Sequence, residues 1–193
     1  MNRMFVLCVA ALTLSAALLT GCVPVLIAGA AGGAVMVATD RRSAGAQVDD
    51  ESIELKVITQ GTNDFGDRIH LNVTSYNGFV LLTGEVPDQG TWASVGAMVK
   101  NTEKVRGVHN ELVVAPLSDY SSRSNDTYIT SKVKSRMIEA NKFPPNAVKV
   151  VTERGVVYLL GIVSKQEGDD AAEIAATTAG VVRVVKFFQY PTS

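Results

Sequence analysis

Apolar positions along the chain change their period several times, and each change marks an element. Ile129, Val133 and Met137 recur every fourth residue, a helical spacing. Asn125 and Asp126 are good N-cap types, so this helix is predicted to begin there and to end before Pro144-Pro145. Two apolar runs follow, residues 148–152 and 156–160, flanking Glu153-Arg154-Gly155, a hairpin connection with a glycine available for positive φ. Residues 167–178 read as an alanine-containing helix and residues 182–190 as a strand.

The same order occurs earlier in the chain. Asn77-Gly78-Phe79-Val80-Leu81-Leu82-Thr83-Gly84-Glu85-Val86 aligns without a gap on Arg154-Gly155-Val156-Val157-Tyr158-Leu159-Leu160-Gly161-Ile162-Val163. Upstream, Asp50, Ile53 and Val57 match Asp126, Ile129 and Val133; downstream, Val105, Val108 and Leu112 match Val181, Val184 and Phe188. Residues 91–102 supply the second helix of this copy, residues 108–114 its last strand, and Asn77-Gly78 its hairpin turn. The prediction is an α+β fold of two tandem domains, residues 47–116 and 117–193. Each is α-β-β-α-β, with a three-stranded mixed sheet packed against two helices and the third strand parallel to the second. A copy of about 70 residues buries only about 60% of its unfolded surface, so each is expected to lean on the other.

The first residues add a different signal. Arg3, an apolar stretch from Met4 to Leu19 and a small-residue exit read as a secretion signal over residues 1–21, cleaved before Cys22. Leu19-Thr20-Gly21-Cys22 resembles the lipobox of bacterial lipoproteins, which implies acylation of Cys22 as the lipid anchor and an essentially permanent membrane attachment. Val23 after that cysteine, where an aspartate would commonly hold a lipoprotein at the inner membrane, implies the outer membrane facing the periplasm. Residues 22–46 are then a lipid-anchored linker, apolar as far as Thr39; Pro24 and its glycines argue against a membrane-spanning helix. Cys8 is the other cysteine and lies in the removed part, so the mature chain is expected to hold no disulfide.

A net charge of −1 excludes the strongly basic profile of a dedicated nucleic-acid binder. His70 and His109 are the histidines of the chain, each on a predicted strand and without companion ligands or nucleophile spacing nearby in sequence, so neither a catalytic site, a metal nor a cofactor is expected. Locally the two copies differ. Residues 47–116 carry 5 basic and 10 acidic residues; residues 117–193 carry 10 basic and 8 acidic. The first helix of copy one holds Asp49, Asp50, Glu51 and Glu54, while that of copy two holds Lys132, Lys134 and Arg136 near Tyr128. An anionic membrane would favour the second copy, at about 1 kcal/mol per lysine or arginine near the surface.

The α-β-β-α-β unit with its glycine-bracketed strand resembles the BON domain. The lipobox followed in order by Thr39-Asp40, Arg42-Ser43, Gln47-Val48-Asp49-Asp50, Asn72-Val73-Thr74, Asn110-Glu111, Asn125-Asp126-Thr127 and Lys149-Val150 resembles the family of dual-BON outer-membrane lipoproteins associated with division and outer-membrane stress. That resemblance implies binding of anionic phospholipid on the inner leaflet of the outer membrane through the first helix of the second domain, accumulation at the division site and support of envelope integrity. It places Tyr128 where family members insert an aromatic residue, a tryptophan in some; the alternative for Tyr128, beside the core position Ile129, is core or interdomain packing, and Thr127, Lys132, Val133, Arg136 and Ile138 of the same helix are the expected neighbouring contacts. The alternative is an adaptor for envelope-assembly proteins such as the barrel-assembly machinery, docking through the acidic first domain.

Overall fold

The structure, a computed structural model, describes residues 40–191, which lie within one compact unit. The expected signal sequence, Cys22 and the expected linker up to Thr39 fall outside the described residues. Helix α1 (Ala44–Phe65) is capped by Ser43, whose hydroxyl accepts from the Ala46 N–H. It leads to the hairpin β1 (His70–Tyr76) and β2 (Phe79–Val86), helix α2 (Gln89–Lys100) and two short strands, β3 (Gly107–Asn110) and β4 (Val113–Val114). The second copy runs α3 (Tyr120–Ala140), β5 (Lys149–Glu153), β6 (Val156–Ile162), α4 (Lys165–Ala176) and β7 (Arg183–Gln189). In both sheets the hairpin is antiparallel, and the later strands pair in parallel with its second strand.

The repeated glycine pair has one role per member. Gly78 and Gly155 are second in two-residue turns in which Asn77 and Arg154 also adopt positive φ, the conformation such hairpins require. Gly84 and Gly161 lie where another backbone passes: a Cβ would come within 2.0 Å of the His70 carbonyl oxygen at Gly84 and 2.3 Å of that of Ala147 at Gly161.

Three differences from the sequence reading have clear causes. First, the last strand of copy one is split, because Leu112 drops into the core between β3 and β4 while Asn110 Oδ1 accepts from its N–H. Second, α3 begins at Tyr120, capped by Asp119 accepting from the Ser122 N–H, rather than at Asn125 and Asp126. Asp126 is instead a buried mid-helix residue whose two carboxylate oxygens accept from the Arg154 and Gly155 N–H groups, each at 2.8 Å. Asp50 does the same in copy one for Asn77 and Gly78, and also accepts from Ser75 Oγ and Arg42. Each hairpin turn is therefore clamped to the first helix of its own domain. Third, Glu153 belongs to β5, paired with Val156, which leaves a turn of Arg154-Gly155 alone.

One face of each sheet carries that domain's core. Val73, Val80, Leu82 and Val86 meet Ile53 and Val57 of α1 and Val95 and Val99 of α2; Val150, Val157 and Leu159 meet Ile129, Val133 and Met137 of α3 and Ala171 and Ile174 of α4. The opposite faces meet each other through a third apolar cluster, Tyr76, Leu81, Tyr158 and Leu160. Side chains alternate along a strand, so β2 sends Val80 and Leu82 to the helices and Leu81 to the other sheet. The result is four layers, helices outside and two sheets back to back.

Candidate lipid-facing helix of the second domain

The inward side of α3 is set by Asp126, Ile129, Val133 and Met137, all buried. Its outward side carries three large apolar residues: Tyr120, 86% exposed, Tyr128, 62%, and Ile138, 57%. At 100° and 1.5 Å per residue they fall within an arc of about 80° and span about 27 Å along the axis. Between them stand the exposed small residues Ser124, Ser131 and Ser135, so the larger side chains protrude. Lys132 bounds this face on one flank, its Nζ 4.8 Å from the Tyr128 ring centre, and the exposed Lys134 bounds it on the other, one turn before Ile138.

Of the contacts expected from the sequence, Tyr128, Thr127 and Ile138 lie exposed on this helix, Thr127 donating its hydroxyl proton to the Arg123 carbonyl. Val133 is fully buried in the core of the second domain and offers no surface, a correction that follows from its place on the Ile129–Met137 stripe. Arg136 is committed to structure: its Nη1 donates to the Ile174 carbonyl at 3.0 Å and to Thr178 Oγ1 at 2.8 Å, tying α3 to the end of α4. Lys132 is shared, donating to the Ala179 carbonyl while its charge stays over the tyrosine ring.

Sequence reasoning missed Tyr120 and Val182. Tyr120 was hidden by the late helix start, although Asp119 is itself a good N-cap type. Val182 is exposed in the α4–β7 connection, where its N–H donates to the Gly155 carbonyl. Four valines in Val181-Val182-Arg183-Val184-Val185 cannot all face inward on alternating or looped backbone.

Buried charge gathers where the sheets meet. Glu85 is fully buried, with His70 Nδ1 at 2.8 Å, Ser118 Oγ at 3.2 Å and Arg154 Nη1 at 3.3 Å. Burial works against its charge, but these hydrogen bonds outweigh it and hold the carboxyl below its ordinary value. Glu153 accepts from Asn72 Nδ2 at 2.7 Å, yet burial pushes it above the ordinary carboxyl range. His70 therefore does gain acidic companions, brought from strands distant in sequence. His109 stacks on Phe187 of the other domain at 3.9 Å between ring centres, and burial lowers its pKa.

Two α-β-β-α-β units packed sheet to sheet, each with its turn clamped by an aspartate from its first helix, define a tandem two-domain α+β protein. The chain belongs to the BON-domain family, whose domain is matched by residues 49–116 and again by residues 125–192. It is 40% identical over 174 residues to the outer membrane lipoprotein DolP of Haemophilus influenzae, an alignment spanning 89% of this chain and 90% of that protein. It is 35% identical to the 21 kDa hemolysin of Actinobacillus pleuropneumoniae over 78% of this chain and 79% of the relative. Identity is 30% to the osmotically-inducible protein Y of Escherichia coli, over 72% and 71% respectively.

Proposed function

We propose that this protein is a non-catalytic outer-membrane lipoprotein, anchored through Cys22 and facing the periplasm, whose second BON domain lays the outer face of α3 on anionic phospholipid of the inner leaflet. The observation that carries the reading is the row Tyr120, Tyr128 and Ile138, set among serines and flanked by Lys132 and Lys134. Aromatic rings seat well at the headgroup level, and each cation near an anionic surface contributes about 1 kcal/mol. Such a contact is weak for a free domain; the acyl anchor turns it into an intramolecular encounter at high effective concentration. The similarity to a named outer membrane lipoprotein supports the compartment. Support of envelope integrity, concentrated at the division site, is the cellular role we assign to this contact.

Co-sedimentation of a soluble form, residues 40–193, with vesicles tests the reading. Binding to phosphatidylglycerol vesicles is expected to fall with salt, to be absent on phosphatidylcholine, and to drop at least about tenfold in Tyr128→Glu, the loss of about 1.4 kcal/mol. Equal binding to both lipids, or an unchanged Tyr128→Glu protein, would sink it.

A second reading concerns the first domain. Val48, Leu55 and Ile58 are exposed at positions 0, 7 and 10 of a helical repeat on α1, beside the exposed Glu51. This acidic, apolar stripe suits a basic partner segment of an envelope-assembly protein such as the barrel-assembly machinery. Site-specific crosslinking from Leu55 in cells tests it: a partner captured there and lost with Leu55→Glu supports docking, and its absence argues against it.

A further inference from the structure

His70, Glu85 and Glu153 each place a ligand atom at the seam of the two domains, with those atoms all within 4.8 Å of one another. The first two come from β1 and β2, the third from the end of β5. Both carboxylates are buried. The groove that opens onto this seam is lined by His70, Asn72, Arg123, Asp126 and Glu153, so solvent has a route to it. Charge is out of balance here. Glu85, Glu153 and Asp126 bring three carboxylates, while the cations beside them are Arg154, 3.3 Å from Glu85, and Arg123, which is occupied by the carbonyl and hydroxyl of Ser118. The Asn72 amide nitrogen stands in the gap, 2.7 Å from Glu153 Oε2 and 3.3 Å from His70 Nε2. That nitrogen therefore occupies a position from which one electropositive centre touches both an imidazole and a carboxylate. Asn72 is exposed, and its side chain is free to swing into solvent if something better takes the place.

We propose that His70, Glu85 and Glu153 form a divalent metal site of the zinc class that clasps the two BON domains together. One imidazole and two carboxylates suit zinc and its neighbours rather than calcium or magnesium, which prefer all-oxygen sets. Zinc binds such atoms at about 2.0–2.2 Å, so ligand atoms now within 4.8 Å of one another would draw in to about 3.5 Å apart around it. Three protein ligands leave a fourth position on the groove side for water. Because the ligands come from both domains, the ion stabilises their packing, and removing it loosens the seam rather than either core.

The experiment uses residues 40–193, which contain both cores and every ligand and leave out the lipid-anchored segment. Chelator-treated protein is titrated with zinc chloride by calorimetry and melted with and without the metal. One equivalent is expected to bind at pH 7.5, and Tm to rise by about 5–11 °C at a hundredfold excess over Kd. Glu153→Gln, which keeps the acceptor for Asn72, and His70→Gln should each weaken binding at least about tenfold, while Asn72→Ala should bind as well as the parent or better. Bound Co2+ gives a visible spectrum that reports an imidazole ligand independently of stability. No heat and no change in Tm would overturn the site, as would zinc affinity unchanged in both His70→Gln and Glu153→Gln.

Discussion

Replacing Asp126 with alanine separates two roles that the same residue could serve. If Asp126 were the N-cap its place in the sequence suggests, alanine would cost about 1 kcal/mol and asparagine almost nothing, since both types cap well. In the structure each carboxylate oxygen instead accepts a backbone N–H of the Arg154-Gly155 turn at 2.8 Å, and the bond to Gly155 is buried. Bonds to an ionised acceptor contribute about 1.5–3 kcal/mol each. The Arg154 N–H is only part-buried and water replaces some of its loss. Alanine also gains about 0.5 kcal/mol of helix propensity over aspartate. The net expectation for Asp126→Ala is a loss of about 3–4 kcal/mol.

Asparagine keeps one acceptor oxygen but turns an NH2 toward the second N–H, so Asp126→Asn should lose about 2 kcal/mol, roughly one of the two bonds. Urea unfolding followed by circular dichroism reads both values, and Asn125→Ala, one residue upstream and exposed, serves as the control. For a unit of this size 3–4 kcal/mol corresponds to a fall in Tm of about 6–16 °C. A loss near 1 kcal/mol for alanine with none for asparagine would refute the clamp and restore the capping role.

Two further outcomes follow from the interior. His109 lies between Phe79 and Phe187 with its pKa lowered by burial, so protonation favours the unfolded chain. Its contribution is complete above the ordinary histidine value of 6.5 and is lost as pH falls through the depressed folded value; Tm should decline on acidification in this range, and less so in His109→Phe. Gly84→Ala places a methyl group 2.0 Å from the His70 carbonyl at a φ of +119°, which forces the β1–β2 pair apart. It should lower stability by about 3 kcal/mol or more by urea unfolding, with a loss below 1 kcal/mol showing that the β1–β2 pair relaxes easily.

Much of the fold was readable because it is local. The turns at Gly78 and Gly155, the four-residue spacing of Ile129, Val133 and Met137, and the continuous apolar runs of β2 and β6 are each decided within a dozen residues. What escaped depends on partners far away in the chain. Asp126 looks like a cap until Gly155 is seen beside it, Glu85 looks solvated until Arg154 and His70 enclose it, and Arg136 looks free until the end of α4 accepts from it. The candidate site was legible in the same proportion: the protruding Tyr128 follows from its position beside a core residue, while the reach of the face to Tyr120 required the true start of the helix.

Sheet-to-sheet packing also bears on how two readings of function fit in one molecule. The back-to-back sheets put α1 and α2 in one outer layer and α3 and α4 in the other, so the acidic stripe of α1 and the tyrosine face of α3 belong to opposite sides. Four layers at about 10 Å spacing separate the outer layers by about 30 Å. That is several times the screening length of about 8 Å at physiological ionic strength, so the net −5 of the first domain neither repels a bilayer beneath α3 nor cancels the cations there. With α3 on the lipid, α1 faces away from the membrane and stays open to a partner. On the proposed readings, packing through the sheets gives the lipid surface and the acidic partner surface opposite sides of one molecule, and the seam between them, with His70, Glu85 and Glu153, is the place where the two are held in register.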